Sequence, residues 1–171
     1  MRLIVDSGST KTDWICIDEK GEILFDTQTK GLNPQVLTEQ IIEERVINNF
    51  DLYQNRKKIS HLYFYGAGCG TESPRKLIKK VFERVFISSL IDIKEDTYAA
   101  VFATCDMGKK SITSILGTGS NCTYFDGKNI LQKVDSLGYV IMDDASGNYF
   151  GRQLIRDYYF DKMPLSVQKK I

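Results

Sequence analysis

The sequence has no charge excess, no long apolar run, no paired-cysteine motif and almost no histidine, and each absence narrows what the chain can be. Lys and Arg number 23 and Asp and Glu 22 among 171 residues. Nothing in that balance calls for a nucleic acid or a membrane surface, and neither is expected as a partner. No apolar stretch approaches the roughly 20 residues that a membrane helix needs. Met1-Arg2 leads into an apolar run of three, unlike the core of a signal peptide, so a cytoplasmic protein is expected. The four cysteines, Cys16, Cys69, Cys105 and Cys122, stand far apart without a C-x-x-C pair, which argues against a zinc ribbon or a local redox motif and for buried free thiols. His61, the single histidine, has no Ser or Cys nucleophile motif beside it and reads as a strand-edge residue. Neither G-x-x-x-x-G-K-[ST] nor G-x-G-x-x-G occurs.

What is present is the composition of a globular domain, 42% apolar and 26% charged. Leu3-Ile-Val5, Trp14-Ile-Cys-Ile17 and Glu22-Ile-Leu-Phe25 read as three short strands in a meander. Asn33 can cap, and Pro34 can start, a helix reaching about Asn49. His61 to Tyr65 reads as a strand, and from Ser73-Pro74 the residues Leu77, Ile78, Val81, Phe82, Val85 and Phe86 recur at helical spacing. Ile91 to Ile93 reads as a strand and Thr97 to Cys105 as an Ala-rich helix. Strands in a meander that then alternate with helices give an α/β layer structure with a mixed sheet. Ser111 to Leu116, Cys122 to Phe125 and Asn129 to Val134 repeat the opening plan of strand, small-residue turn and strand. A helix then follows Ser146-Gly147. The best boundary is Met107-Gly-Lys-Lys110, dividing a complete domain at residues 1–109 from the start of a second at 110–171.

The stretch Asp6-Ser-Gly-Ser-Thr-Lys-Thr-Asp13 spends two carboxylates, a lysine and four hydroxyls between two strands. Small residues let backbone N–H groups converge on an anion, and the hydroxyls and Lys11 add donors and charge. A carboxylate such as Asp6 suits that place when a divalent cation lies between it and a phosphate, and Mg²⁺ is commonly held this way. A polar hairpin that satisfies its own backbone is the alternative. Gly117-Thr-Gly-Ser120, in the equivalent turn of the repeat, favours phosphate, because two such loops can clamp one triphosphate.

The motifs DSGSTKTDW, EDTYAA, GTGSN and DDASGNYFG, in that order, resemble the N-acetylglucosamine kinase and BadF/BadG-type ATPase branch of the acetate and sugar kinase, Hsp70 and actin superfamily. The resemblance spans nearly the whole sequence. It implies a ribonuclease H-like (actin-like ATPase) fold, with nucleotide and substrate between two such domains and the second incomplete in these residues. It assigns Asp6 to the metal, Gly8, Ser9, Thr10 and Lys11 to the first phosphate loop, and Gly117, Thr118 and Gly119 to the second. Asp96 matches the general base, a role worth about 10²- to 10⁴-fold in rate; as a residue it can equally cap the helix that follows it. Asn33, Ser120, Asp143 and Gly147 match sugar-binding positions. The activity implied is ATP- and Mg²⁺-dependent phosphorylation of N-acetylglucosamine or a related amino sugar. An ATPase activator of the 2-hydroxyacyl-CoA dehydratase type and a sugar or nucleotide sensor without catalysis are the alternatives, and a homodimer stays open. Met142 and Asp144-Ala145 depart from the Gly and Glu-Gly usual there, and Leu137 replaces an aromatic residue.

Overall fold

Alternating side chains build the first sheet. In β1 (Arg2–Ser7) Leu3, Val5 and Ser7 are buried on one face, and in β2 (Lys11–Ile17) Thr12, Trp14 and Cys16 join them. With β3 (Ile23–Lys30) these strands form an antiparallel meander. The computed structural model describes residues 1–132, 137–138 and 140–170. After β3 come α1 (Glu39–Ile47), α2 (Phe50–Asn55), β4 (His61–Gly66), α3 (Glu72–Val85), β5 (Leu90–Glu95) and α4 (Asp96–Thr104). Both β4 and β5 run parallel to β1, giving the order β3-β2-β1-β4-β5 and the mixed sheet expected.

The apolar stripe of α3 closes the core. Phe82 meets Phe64 edge-on with ring centroids 5.2 Å apart and Trp14 at 6.0 Å, and Phe86 lies 5.9 Å from Phe82. Such ring pairs add about 0.5–1.5 kcal/mol each beyond the area that they bury. The buried indole N–H of Trp14 donates to Thr29 Oγ1 at 3.0 Å.

Several elements differ from the sequence reading. β3 continues to Lys30, since Asp26 to Lys30 pair along β2 although they offer no apolar run. The first helix starts at Glu39, capped by Thr38, whose hydroxyl accepts from the Ile41 N–H. Asn33 caps no helix, because its carbonyl oxygen closes a local turn on the Gln35 N–H. α2, capped by Asn49, was not anticipated. Only Cys16 and Cys69 are buried thiols; Cys105 is half-buried and Cys122 exposed.

The chain divides into two compact units, Met1–Ala99 and Ala100–Ile171, and the division falls within α4. The second unit contains the meander β6 (Ser111–Leu116), β7 (Ser120–Phe125) and β8 (Ile130–Leu131), so the repeat of the opening plan holds. Its Asp126-Gly127 turn is tight: the Asp126 carboxylate accepts from the backbone of Lys128 and Asn129, and Gly127 has φ +101°. The continuation of β8 to Val134 lies outside the described residues. α5 (Gly147–Tyr159) follows the Ser146 cap, and α6 (Leu165–Gln168) is a single short turn. No helix among the described residues is long and apolar enough to cross a membrane.

Candidate active site

The parallel strands of the first unit carry their carboxyl ends to one edge. Ser7 of β1 is in register with Gly66 of β4, and Gly66 with Glu95 of β5. Residues beside or just past that row share an edge, the usual place for a ligand in sheets of parallel strands. Asp6 and Asp96 are acidic residues so placed, and Glu95 stands in the row between β4 and Asp96.

The hairpin after β1 is shorter than its composition suggested. Asp6 pairs with Asp13 and Ser7 with Thr12, and the Gly8 N–H donates to the Lys11 carbonyl at 2.9 Å, leaving a tip of four residues, Gly8 to Lys11. Two of the four hydroxyls, those of Ser7 and Thr12, are buried and serve the core of the unit. Ser7 Oγ lies 2.8 Å from Thr12 Oγ1 and accepts from the buried Leu32 N–H at 3.1 Å. Ser9, Thr10 and Lys11 remain exposed, with the Lys11 ammonium 3.0 Å from Asp13 Oδ1.

The hairpin rests on a glycine. The Gly31 N–H donates to the Thr10 carbonyl at 2.9 Å, and a Cβ on Gly31 would overlap the carbonyls of Ser9 and Gly8. Asn33 Nδ2 donates to Ser9 Oγ at 3.0 Å. Asn33 is thereby tied to the tip of the β1–β2 hairpin, a link that no local sequence pattern announces.

Electrostatics distinguish this edge. Asp6 is open to solvent, yet the surrounding protein mass and then the Asp13 carboxylate directly opposite raise its carboxyl above the usual range, with Lys11 opposing. Two carboxylates facing across adjacent strands repel. A Mg²⁺ ion suits that donor set, since it takes one or two carboxylates and completes its shell with water and phosphate oxygens. No group of three or more His, Cys, Asp and Glu side chains that could hold a metal occurs among the described residues. Asp13 is thus a second candidate ligand, which only the strand register could reveal.

Asp96 opens α4, and its Oδ1 accepts the Thr97 N–H at 3.0 Å. Burial first, then the Glu95 carboxylate, raise its carboxyl; the Thr97 hydrogen bond opposes them, and the charge of Asp6 adds to them. The charge of Asp6 thus reaches Asp96 from the neighbouring strand end. Glu95, which the sequence reading left without a role, packs against Gly70, where a Cβ would meet its Oε1 at 3.1 Å. The Cys69 thiol is pushed up to about 12, chiefly by burial and then by the Asp96 charge, which makes it a packing group and no nucleophile.

In the second unit, Gly117, Thr118, Gly119, Ser120, Asp143 and Gly147 also come together. The first N–H groups of α5 close onto the loop: Gly147 donates to the Gly117 carbonyl at 2.8 Å and Asn148 to that of Thr118 at 3.3 Å. Asn148 Nδ2 adds a second bond to Thr118 at 2.8 Å, and Ser120 Oγ donates to the Asp144 carbonyl at 2.8 Å. A Cβ on Gly119 would overlap the Asp143 carboxylate. Asp143 and Ala145 both hold positive φ, +65° and +64°. A cavity of about 520 Å³ opens beside this loop, lined among others by Ser120, Asn121, Met142, Asp143 and Asp144.

No protein-family model and no curated protein matches the chain. Solved structures do. A putative N-acetylglucosamine kinase from Porphyromonas gingivalis is 35% identical, with a TM-score of 0.87 over 99% of this chain and 60% of its own. Another of that description, from Chromobacterium violaceum, is 16% identical, with a TM-score of 0.61 over 93% of this chain and 57% of its own. The inorganic polyphosphate/ATP-glucomannokinase of an Arthrobacter strain is 17% identical, with a TM-score of 0.53 over 90% of this chain and 72% of its own. The last two show the fold alone. This chain spans about 60% of the length of the first two.

The fold is thus the actin-like ATPase fold of the acetate and sugar kinase, Hsp70 and actin superfamily. Within it, the structural neighbours of this chain are putative N-acetylglucosamine kinases and other sugar kinases.

Proposed function

We propose that the chain serves ATP-dependent phosphoryl transfer to a sugar hydroxyl, with N-acetylglucosamine or a related amino sugar as acceptor. The observation that carries this reading is Asp96, its carboxyl held at the start of α4 by the Thr97 N–H, standing at the same strand-end edge as Asp6 of the β1–β2 hairpin. The likeness to the Porphyromonas gingivalis protein supports the choice of acceptor.

Asp96 accepts the proton of the attacking hydroxyl. That oxygen bonds to the γ-phosphorus, the bond to the bridging oxygen breaks, and ADP leaves with the electron pair. Gly8, Ser9, Thr10 and Lys11 of the first unit, and Gly117, Thr118 and Gly119 of the second, hold phosphates. Asp6 and Asp13 would hold Mg²⁺, which supplies neutralisation of phosphate charge when bound. Asn33, Ser120, Asp143 and Gly147 are the sugar-side residues; the Gly147 N–H is spent on the Gly117 carbonyl, so this residue acts there by holding the loop.

Asp96→Asn in the intact protein lowers kcat by about 10²- to 10⁴-fold while sugar binding stays near the parent value and thermal unfolding is at or above it. Full turnover in that variant, followed as ADP release across a panel of amino sugars, removes the assignment. Because the base must be ionised, the raised carboxyl moves the acid limb of the rate profile to higher pH than an ordinary carboxylate would give.

A further inference from the structure

The side-chain amide of Asn33 is engaged at both ends within the first unit. Its Oδ1 accepts from the Gln35 N–H at 2.9 Å, and its Nδ2 donates to Ser9 Oγ at 3.0 Å. The direction of this amide is determined by its surroundings. Flipping it would aim the Nδ2 donors at the Gln35 N–H and leave Ser9 facing the carbonyl oxygen. Gly68 closes the remaining side: it has φ +81°, and a Cβ there would overlap Asn33 Oδ1.

A hydroxyl has one proton and two lone pairs. With one lone pair of Ser9 taken by the Asn33 N–H, the Ser9 proton turns away from Asn33. Ser9 is exposed at the hairpin tip, so the proton is offered outward, where an anion would lie. The carbonyls of Gly8 and Ser9 lie against Gly31, which fixes the tip from below.

We infer that Asn33 is a positioning residue for phosphate: through its amide it presents Ser9 as a hydrogen-bond donor to the phosphate that the hairpin takes. This rests on the reading of the hairpin as a phosphate loop. Affinity for the nucleotide then depends on a residue outside the loop that touches it, and the dependence passes through one hydroxyl.

Calorimetric binding of ADP with Mg²⁺ to the intact protein, without sugar, tests it. Ser9→Ala weakens binding about 10-fold, the worth of a hydrogen bond to a charged group. Asn33→Asp offers only acceptors and draws the Ser9 proton inward, so it weakens binding about 10- to 100-fold when Ser9 is present. In the Ser9→Ala background the same change costs a several-fold smaller factor, set only by the repulsion of its added charge. Asn33→Ala follows the same pattern with smaller factors and serves if Asn33→Asp fails to fold. Ser9→Thr keeps the hydroxyl and restores the dependence on Asn33, which a purely structural role would not do. Asn33 variants that leave affinity unchanged, or that cost the same factor with and without the Ser9 hydroxyl, overturn the inference. A parent protein that binds no nucleotide, with or without sugar, overturns the kinase reading itself and the inference with it.

Discussion

The two small-residue loops look alike in sequence and are held in different ways. The Gly8 to Lys11 tip is an exposed hairpin lying on Gly31 of a distant loop, with the charges of Asp6, Asp13 and Lys11 around it. The Gly117 to Ser120 loop is stitched through its carbonyls to the start of α5, and the carboxylate at its Gly119 comes from Asp143. Small residues therefore report a shape, while the neighbours decide the chemistry. Charge and a metal suit the first loop; the second, with its first-turn N–H groups already spent, presents backbone held in a fixed path.

Breaking the seat of the first loop has the largest effect. Gly31→Ala forces a methyl into two backbone carbonyls that cannot swing aside, and it lowers stability by about 3 kcal/mol in denaturant unfolding. Gly8→Ala is the control: its Cβ meets only the Lys11 carbonyl at 3.6 Å, and stability stays within about 0.5 kcal/mol. Equal losses in the two variants would remove the idea that the seat, and not the tip, fixes this loop.

Charge is the second contrast. The Asp6 carboxyl is raised in the folded protein, so folding favours its protonated form. Its ionised form then weakens the fold, and the weakening grows as pH climbs from the ordinary carboxylate value through the folded one. Asp6→Asn accordingly stabilises the protein at neutral pH, the gain fades below about pH 3.8, and nucleotide-dependent turnover falls. Unfolding midpoints at neutral and at acid pH check the sign, and a gain that persists unchanged in acid contradicts it.

The smallest effect belongs to the second loop. Ala145 holds φ +64°, a conformation costing an L-residue about 1 kcal/mol. Ala145→Gly relieves that strain while adding freedom to the unfolded chain, for a net gain of about 0.5 kcal/mol. A loss of stability in calorimetry would mean that the alanine methyl contributes more than its strained backbone costs.

The sequence was legible where local periodicity and burial coincide. β1, β2 and α3 follow from alternation and an apolar stripe, and the helix after Ser146-Gly147 is present, capped by the Ser146 hydroxyl. β3 was cut short because Asp26 to Lys30 are held by pairing with β2 and by the bond from Trp14 to Thr29, which is a long-range contact. The start of α1 was misplaced because Asn33 spends its carbonyl on a turn, leaving Thr38 to cap. Around the candidate site, the motifs singled out the hairpin, the GTGS loop and Asp96. Register brought Asp13 opposite Asp6, and close approach of backbone gave Gly31 and Gly68 their purpose; neither is encoded within a window of neighbouring residues.

Trp14, packed against Phe82 and Phe86 and bonded to Thr29, is the only tryptophan in the sequence. The protein consequently carries a built-in optical label. Its indole emission follows the melting of the core of the first unit, whereas far-ultraviolet ellipticity reports both units. Any temperature at which the two signals part company marks where one unit has lost its structure and the other has kept it.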